Sequence, residues 1–242
     1  MSLVESTFQD GIAEIRLARP PVNAMNPELC HAVRQAVDDA VGAGAQGIIL
    51  GSSAKVFSAG LDVPHLVSLG QDREALRGAW QAFFDTALAL ANAPVPVVAA
   101  LSGHAPAGGC VWALCCDYRV MASGPFRIGL NETQVGLVAP EGIQRLMRRI
   151  VGPHRAERLL VAGEMVEAEH ADLLVVDAAL SPVQQKTLEE MTKAKVIDRT
   201  GLILEIFSDR AATREGVLQV EMAHLSYQRT RLVRAWTHLE RQ

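Results

Sequence analysis

Thr86 to Cys116 reads TALALANAPVPVVAALSGHAPAGGCVWALCC, a run without one Asp, Glu, Lys or Arg. It is long enough to cross a bilayer. Yet Pro94, Pro96, Pro106, Gly103, Gly108 and Gly109 interrupt it, and such breaks disrupt a spanning helix repeatedly. The run reads instead as a helix end, a buried strand over Val95–Leu101, a loop to Ala107, and a second buried helix from Gly108 to about Cys116. The expectation is a soluble protein, with no membrane partner, whose core is deepest here.

Outward from this run, the chain alternates strands and helices. Residues 3–8 and 12–17 predict two strands joined by a turn at Asp10-Gly11. After a loop from Ala18 to Met25, Asn26-Pro27-Glu28 supplies a cap, a first-position proline and an early acid. Leu29, Val33, Ala36, Val37 and Ala40 then recur at helical spacing, and Gly47–Leu50 is an apolar strand. Arg73–Asn92 predicts a helix with Leu76, Trp80, Phe83, Phe84, Ala87 and Leu88 on one side, and Tyr118–Ala122 and Phe126–Ile128 predict short strands. Repeated helix-then-strand units imply an α/β fold with a parallel sheet and right-handed crossovers. Beyond about residue 140 the pattern becomes helical: Gly142–Val151, His154–Ala162, Glu167–Leu174, Pro182–Val196 and Arg214–Glu240, with a strand-like Val175-Val176. No linker or internal repeat interrupts the chain. The reading is a single-domain chain with a core over 1–180 and a C-terminal helical region over 181–242 that packs on another subunit.

Composition bounds the function. The chain has 242 residues, 49% hydrophobic and 21% charged, with a formal charge of -4. That is enough to bury a core without staples, and it excludes disorder. The acidic balance argues against a nucleic-acid partner, which needs a concentrated basic face. Cys30, Cys110, Cys115 and Cys116 fit no zinc spacing and read as buried free thiols of a cytoplasmic protein. The polar N-terminus does not read as a signal peptide, and no metal-ligand cluster is expected.

Several strings lead nowhere. Gly42-Ala43-Gly44-Ala45-Gln46-Gly47 matches a dinucleotide fingerprint but follows a helix and opens a strand, so it is a helix stop. The Gly-x-Ser-x-Gly elbow is absent, and His104 reads as structural. Two small-residue loops are more informative: Val56-Phe57-Ser58-Ala59-Gly60-Leu61-Asp62 and His104-Ala105-Pro106-Ala107-Gly108-Gly109-Cys110, each between a buried strand and a helix start. Small side chains let a ligand approach backbone amides, and two convergent N–H donors form an oxyanion hole.

Phe57-Ser58-Ala59-Gly60-Leu61-Asp62, Pro106-Ala107-Gly108-Gly109-Cys110 and Cys116-Asp117-Tyr118-Arg119 together resemble the crotonase (enoyl-CoA hydratase/isomerase) superfamily. Ile128 to Pro140, IGLNETQVGLVAP, is similar to its mitochondrial-type 3,2-trans-enoyl-CoA isomerase branch. Arg19-Pro20-Pro21-Val22-Asn23-Ala24-Met25 resembles the superfamily's early CoA-contacting loop, and the ending Leu239-Glu240-Arg241 is family-like. The resemblance implies a ββα spiral, trimerisation through the C-terminal helices as a homotrimer or dimer of trimers, and an acyl-CoA thioester substrate. No separate cofactor is implied, since CoA is part of that substrate. It places the oxyanion donors on the N–H groups of Leu61 and Gly108, the catalytic acid on Glu132, and substrate contacts on Asn23, Ala24, Ala59, Gly60, Asp62 and Gly109.

Glu132 also stands out from its own surroundings. It is flanked by Ile128, Leu130, Val135, Leu137 and Val138, a poor place for a solvated charge, and burial raises a carboxyl towards the range where a base is useful. On pattern alone, a Glu turned to water or paired with an Arg fits equally. Hydratases of the superfamily carry a second glutamate three residues after the oxyanion glycine; here that residue is Val111. Hydration needs two acid–base groups, whereas moving a double bond needs one base to take a proton from C2 and return it at C4. Val111 therefore favours an isomerase acting on 3-enoyl-CoA. The alternatives are hydration, dienoyl isomerisation, thioester hydrolysis, or a degenerate acyl-CoA-binding homologue. Glu141, at a helix start, would restore a second acid if it reached the cavity. The lysine that many relatives carry after the loop Asp is missing from Asp62-Val63-Pro64-His65-Leu66, leaving Arg16, Arg19 or a neighbouring subunit to meet the CoA phosphates.

Overall fold

A computed structural model describes residues 2–168, 173–176, 184–186, 189, 195–210 and 213–239. It separates into two compact units, residues 1–168 and 169–242. The division near residue 180 expected from the sequence falls outside the described residues.

The first unit begins with a hairpin. Strands β1 (Val4–Gln9) and β2 (Ile12–Leu17) pair antiparallel, with Gln9 opposite Ile12. The turn needs two left-handed residues, and Asp10 and Gly11 take φ of 50° and 79°. Helix α1 (Pro27–Gly42) starts as its sequence demands: Asn26 accepts from Leu29 N, Pro27 opens the helix, and Leu29, Cys30, Val33, Val37 and Ala40 are buried. Gly44, at φ 80°, stops it, so the dinucleotide-like string is a helix terminus. Strands β3 (Gly47–Ser52), β4 (Val97–Leu101) and β6 (Tyr118–Met121) follow. They continue the sheet in the order β1-β2-β3-β4-β6, parallel from β2 onward.

Between β3 and β4 lie the short helix α2 (Val63–Ser68) and helix α3 (Arg73–Ala91). The buried face of α3 is not the one its large residues suggest. Ala79, Ala82, Phe83, Thr86, Ala87 and Leu90 are inside, while Leu88 is 57% and Trp80 40% exposed. The small residues let α3 approach α1 closely enough for Thr86 Oγ1 to donate to Cys30 O at 2.9 Å. Trp80 stacks on Phe84 at the margin of this face.

The uncharged run resolves as read, into the end of α3, β4, a loop and helix α4 (Gly108–Cys115), of which Gly108 to Leu114 are buried. A second sheet joins β5 (Ala105–Pro106), β7 (Arg127–Gly129) and β8 (Val166–Glu167). A 3-10 helix (Glu132–Val135) and helices α5 (Glu141–Val151) and α6 (Pro153–Ala162) lie between β7 and β8 in sequence. Glu167 is thus in a strand, not at the start of the expected helix over Glu167–Leu174.

In the second unit, β9 (Leu173–Val176) and β10 (Lys195–Asp198) pair in parallel. The end of the helix expected over Pro182–Val196 is therefore strand, and most of its span lies outside the described residues. Helices α7 (Arg199–Arg210) and α8 (Arg214–Leu239) follow. Buried Asp198 accepts from Gly201 N at 2.9 Å and from Tyr227 Oη at 2.6 Å, tying β10 to both helices. No helix among the described residues is long and apolar enough to cross a membrane.

Candidate functional site

The two small-residue loops meet. A Cβ placed on Gly108 would lie 3.2 Å from Gly60 Cα and 3.3 Å from Leu61 N. The local hydrogen bonding leaves both amides available. Leu61 forms a parallel bridge with Met25, in which Met25 N donates to Gly60 O (2.8 Å) and Asp62 N to Met25 O (2.9 Å). These bonds use Gly60 O and Asp62 N, and among the described residues Leu61 N–H donates to no partner. Gly108 N opens α4, where first-turn amides have no helical partner. Ala107, just before it, holds φ 46° and ψ -117°, a sparsely populated conformation for a residue with a side chain and one that clusters at functional sites. Its own N–H donates to Gly129 O at 2.9 Å, fixing the turn.

The loop over residues 19–25 is the scaffold. Asn23 is fully buried; its Nδ2 donates to Ser52 Oγ (2.8 Å) and Phe57 O (2.9 Å), and its Oδ1 accepts from Arg19 N (2.8 Å). Ser58 Oγ donates to Asn23 O and accepts from Gly60 N. Asn23 is therefore placed as a brace whose side chain faces protein, not as a group turned to a ligand. Asn23→Ala would orphan Phe57 O and Arg19 N; leaving such buried groups unpaired costs roughly 1–3 kcal/mol, so a thermal melt of the full chain should show a lower midpoint.

The other expected contacts are placed as follows. Ala59 is exposed on the loop, its N–H donating to Val22 O, and Ala24 offers its carbonyl to Arg19 Nη1. Gly60 takes φ 88°. Gly109 is buried so closely that a Cβ would meet Ser58 O at 2.7 Å. Asp62 caps α2 by accepting from His65 N and pairs with Arg19 Nη2 at 2.7 Å. Burial works to raise its carboxyl, but the His65 N–H and the Arg19 guanidinium outweigh burial and hold it below the usual range. Both basic candidates for the CoA phosphates are paired within the protein: Arg19 to Asp62, and Arg16 to Glu14.

Glu132 opens the 3-10 helix after β7 and borders a cavity of about 300 Å³. Leu130, Val138, Ala139, Leu160 and Val161 supply its apolar wall, and Thr133 and Gln144 complete it. Glu132 is the one ionisable group among its described lining residues. The carboxyl is half-buried, its Oε2 has no hydrogen-bond partner, and burial raises it above the ordinary carboxyl value against a hydrogen bond from its own N–H. The apolar residues that follow it do not bury it: Val135, Leu137 and Val138 are 59–75% exposed. The cover comes instead from Leu130, Ala139 and α6. Neither Leu61 nor Gly108 lines this cavity; the electrostatic link to α4 is Cys110, whose thiol is pushed up by burial and then by the Glu132 charge.

Glu141 does not line the cavity. It is solvent-exposed and pairs with Arg145 one turn along α5, at 2.6 Å. Val111 is buried, so the position three residues after Gly108 offers no acid. His104 accepts from Arg127 N and packs edge-on against Phe126, a structural role. Ser58 and the strained Ala107 lie within the two small-residue loops, but sequence reasoning did not single out either one as a site residue. Among the described residues no cluster of three or more His, Cys, Asp or Glu could hold a metal.

Residues 7–221 match the family Enoyl-CoA hydratase/isomerase, and residues 210–242 match a second family, GTP-binding GTPase Middle Region. The chain is 33% identical over 232 residues to mouse mitochondrial enoyl-CoA delta isomerase 1, covering 92% of this chain and 78% of that protein. It is also 62% identical over 77 residues to the GTPase HflX of Magnetococcus marinus, covering 32% of this chain but only 18% of that protein. The crystal structure of human mitochondrial delta3-delta2-enoyl-CoA isomerase superposes with a TM-score of 0.68 at 26% identity, over 99% of this chain and 97% of that one. The ending Leu239-Glu240-Arg241 lies past the isomerase-family match and inside the GTPase-family match, so it is no evidence for the former; Glu240 and Arg241 also lie outside the described residues.

Proposed function

Because the chain belongs to the enoyl-CoA hydratase/isomerase family, we propose that it moves the double bond of a 3-enoyl-CoA to the 2-trans position. The thioester carbonyl oxygen would rest between the amides of Leu61 and Gly108. Those donors stabilise the enolate that forms as Glu132 takes the C2 proton, and Glu132 then returns that proton at C4. Without the two donors an α-proton is too weakly acidic for a carboxylate to remove, so electrostatic stabilisation matters at least as much as the base. The observation that carries this reading is the half-buried Glu132 carboxyl, with an unpartnered oxygen, at an apolar cavity. Buried Val111 supports isomerisation over hydration, since it leaves no second acid to hold a water. The test is to follow absorbance of the conjugated 2-enoyl thioester: a 3-enoyl-CoA should generate it, and a 2-enoyl-CoA should not be consumed. Consumption of the 2-enoyl signal would make the protein a hydratase.

The proposed assembly is a homotrimer or a dimer of trimers, and the proposed location is cytoplasmic. Light scattering of the purified chain is expected to give three or six times 26.1 kDa; a monomer would remove assembly from this reading. The likeness to a GTPase spans 18% of that protein, and the 242 residues contain no Gly-x-x-x-x-Gly-Lys-Ser/Thr phosphate loop.

A further inference from the structure

The acid sits on a 3-10 helix of only four residues, Glu132–Val135. Such a short element has little rigidity of its own, yet a general base must keep its carboxyl in place to within a fraction of an ångström. Something outside the element must hold it.

The restraint is a clasp to the end of α6. Gln134 Nε2 donates to Gly163 O at 2.8 Å. Gly163 ends α6 in a left-handed conformation, φ 60° and ψ 31°, which turns that carbonyl out of the helix. The side chains of the 3-10 helix lie directly on Gly163: a Cβ there would be 2.5 Å from Thr133 Oγ1 and 2.9 Å from Gln134 Cγ. The preceding strand is pressed against the same segment, since a Cβ on Gly129 would meet Glu164 O at 2.6 Å. The 3-10 helix is also closed locally, by Gln134 N to Asn131 O (3.1 Å) and Leu137 N to Glu132 O (3.0 Å). Among these restraints, the Gln134 amide is the side-chain hydrogen bond joining the element to another helix. Gln134 is otherwise exposed, where a long polar side chain ordinarily stays mobile because ordering it costs entropy.

We propose that Gln134 is a positioning residue for Glu132: through Gly163 it clamps the 3-10 helix to α6 and thereby fixes the carboxyl at the cavity. This rests on the isomerase reading above. Gln134→Met keeps the length of the side chain but loses the donor, whereas Gln134→Lys keeps a donor. The Met variant is expected to lose about 10- to 100-fold in kcat with KM unchanged, and Lys to restore most of it. With the clasp open, water reaches the carboxyl, so the acid limb of the kcat–pH profile should move to lower pH in Met and not in Lys. A purely structural role would lower the melting midpoint without moving that limb.

A second readout does not depend on turnover. The Glu132 carboxyl carbon, labelled with carbon-13 and assigned by its loss in Glu132→Gln, should titrate at lower pH in the Met variant than in the parent. If the parent isomerises no 3-enoyl-CoA, the isomerase reading fails, and this titration still decides whether Gln134 positions the carboxyl. Identical Glu132 titration in parent and Met variant overturns the proposal, as does an unchanged kcat in an active enzyme.

Discussion

Glu132→Gln is expected to reduce isomerisation by at least about 10²–10⁴-fold, the usual contribution of a positioned base, while CoA thioester binding persists. The amide keeps the size and polarity of the side chain but cannot accept the C2 proton, so the loss should fall on kcat and leave KM little changed. The raised carboxyl adds a pH signature. Catalysis needs the ionised form, so the parent's rate should fall as pH drops through the folded-state value, which lies above the roughly 4.3 of a free glutamate. Stability should respond in the opposite sense. The folded state binds this proton more tightly than the unfolded chain, so Glu132 contributes most to stability at low pH and loses that contribution as pH rises through the window between the two values. At neutral pH the Gln variant should therefore melt no lower than the parent. An inactive variant with an undiminished midpoint is the expected pair; unchanged turnover would remove Glu132 from the mechanism.

The residues to which the proposed chemistry is assigned were legible because backbone amides and a lone acid leave coarse marks: two small-residue loops before helices, and a carboxyl in an apolar stretch. What surrounds them was not. Asn23 sits in a Pro-rich loop and looks like a surface turn residue, yet its full burial depends on Ser52 and Phe57, about thirty positions away. Gln134 could not be distinguished from any exposed polar residue, because its partner is a carbonyl that only the end of α6 presents. Side-chain size is a poor guide to the buried face of α3. Alanines that permit close approach to α1 decided the face instead, and the large Leu88 was left outside. Val135, Leu137 and Val138 mislead in the same way, since they flank the acid in sequence but stay largely exposed and do not bury it. Strand β10 was hidden because Lys195–Asp198 is too short to show a period, and its pairing with β9 spans about twenty residues. No linker-like stretch in the sequence marks the boundary between the two compact units, residues 1–168 and 169–242.

Gly108→Val should impair catalysis by about 10²–10³-fold, the cost of losing one oxyanion donor, and it tests the backbone half of the site apart from the acid. The first added carbon would already stand 3.2 Å from Gly60 Cα and Met25 Sδ and 3.3 Å from Leu61 N. The branched methyls beyond it must either enter the space where the thioester oxygen would sit or push the two loops apart. In either case the two amides could not both donate to a thioester oxygen. Glu132 is untouched, so its titration should be unchanged, which separates this loss from that of the Gln variant. Leu61→Ala is the matching control. If the peptide N–H of Leu61 is the donor, trimming its side chain leaves that donor in place, and kcat should stay within a few-fold of the parent. A Val variant as active as the parent would show that the amides of Leu61 and Gly108 do not hold the substrate oxygen. So would an Ala variant as impaired as Gly108→Val at an unchanged melting midpoint, and the enolate would then need another partner.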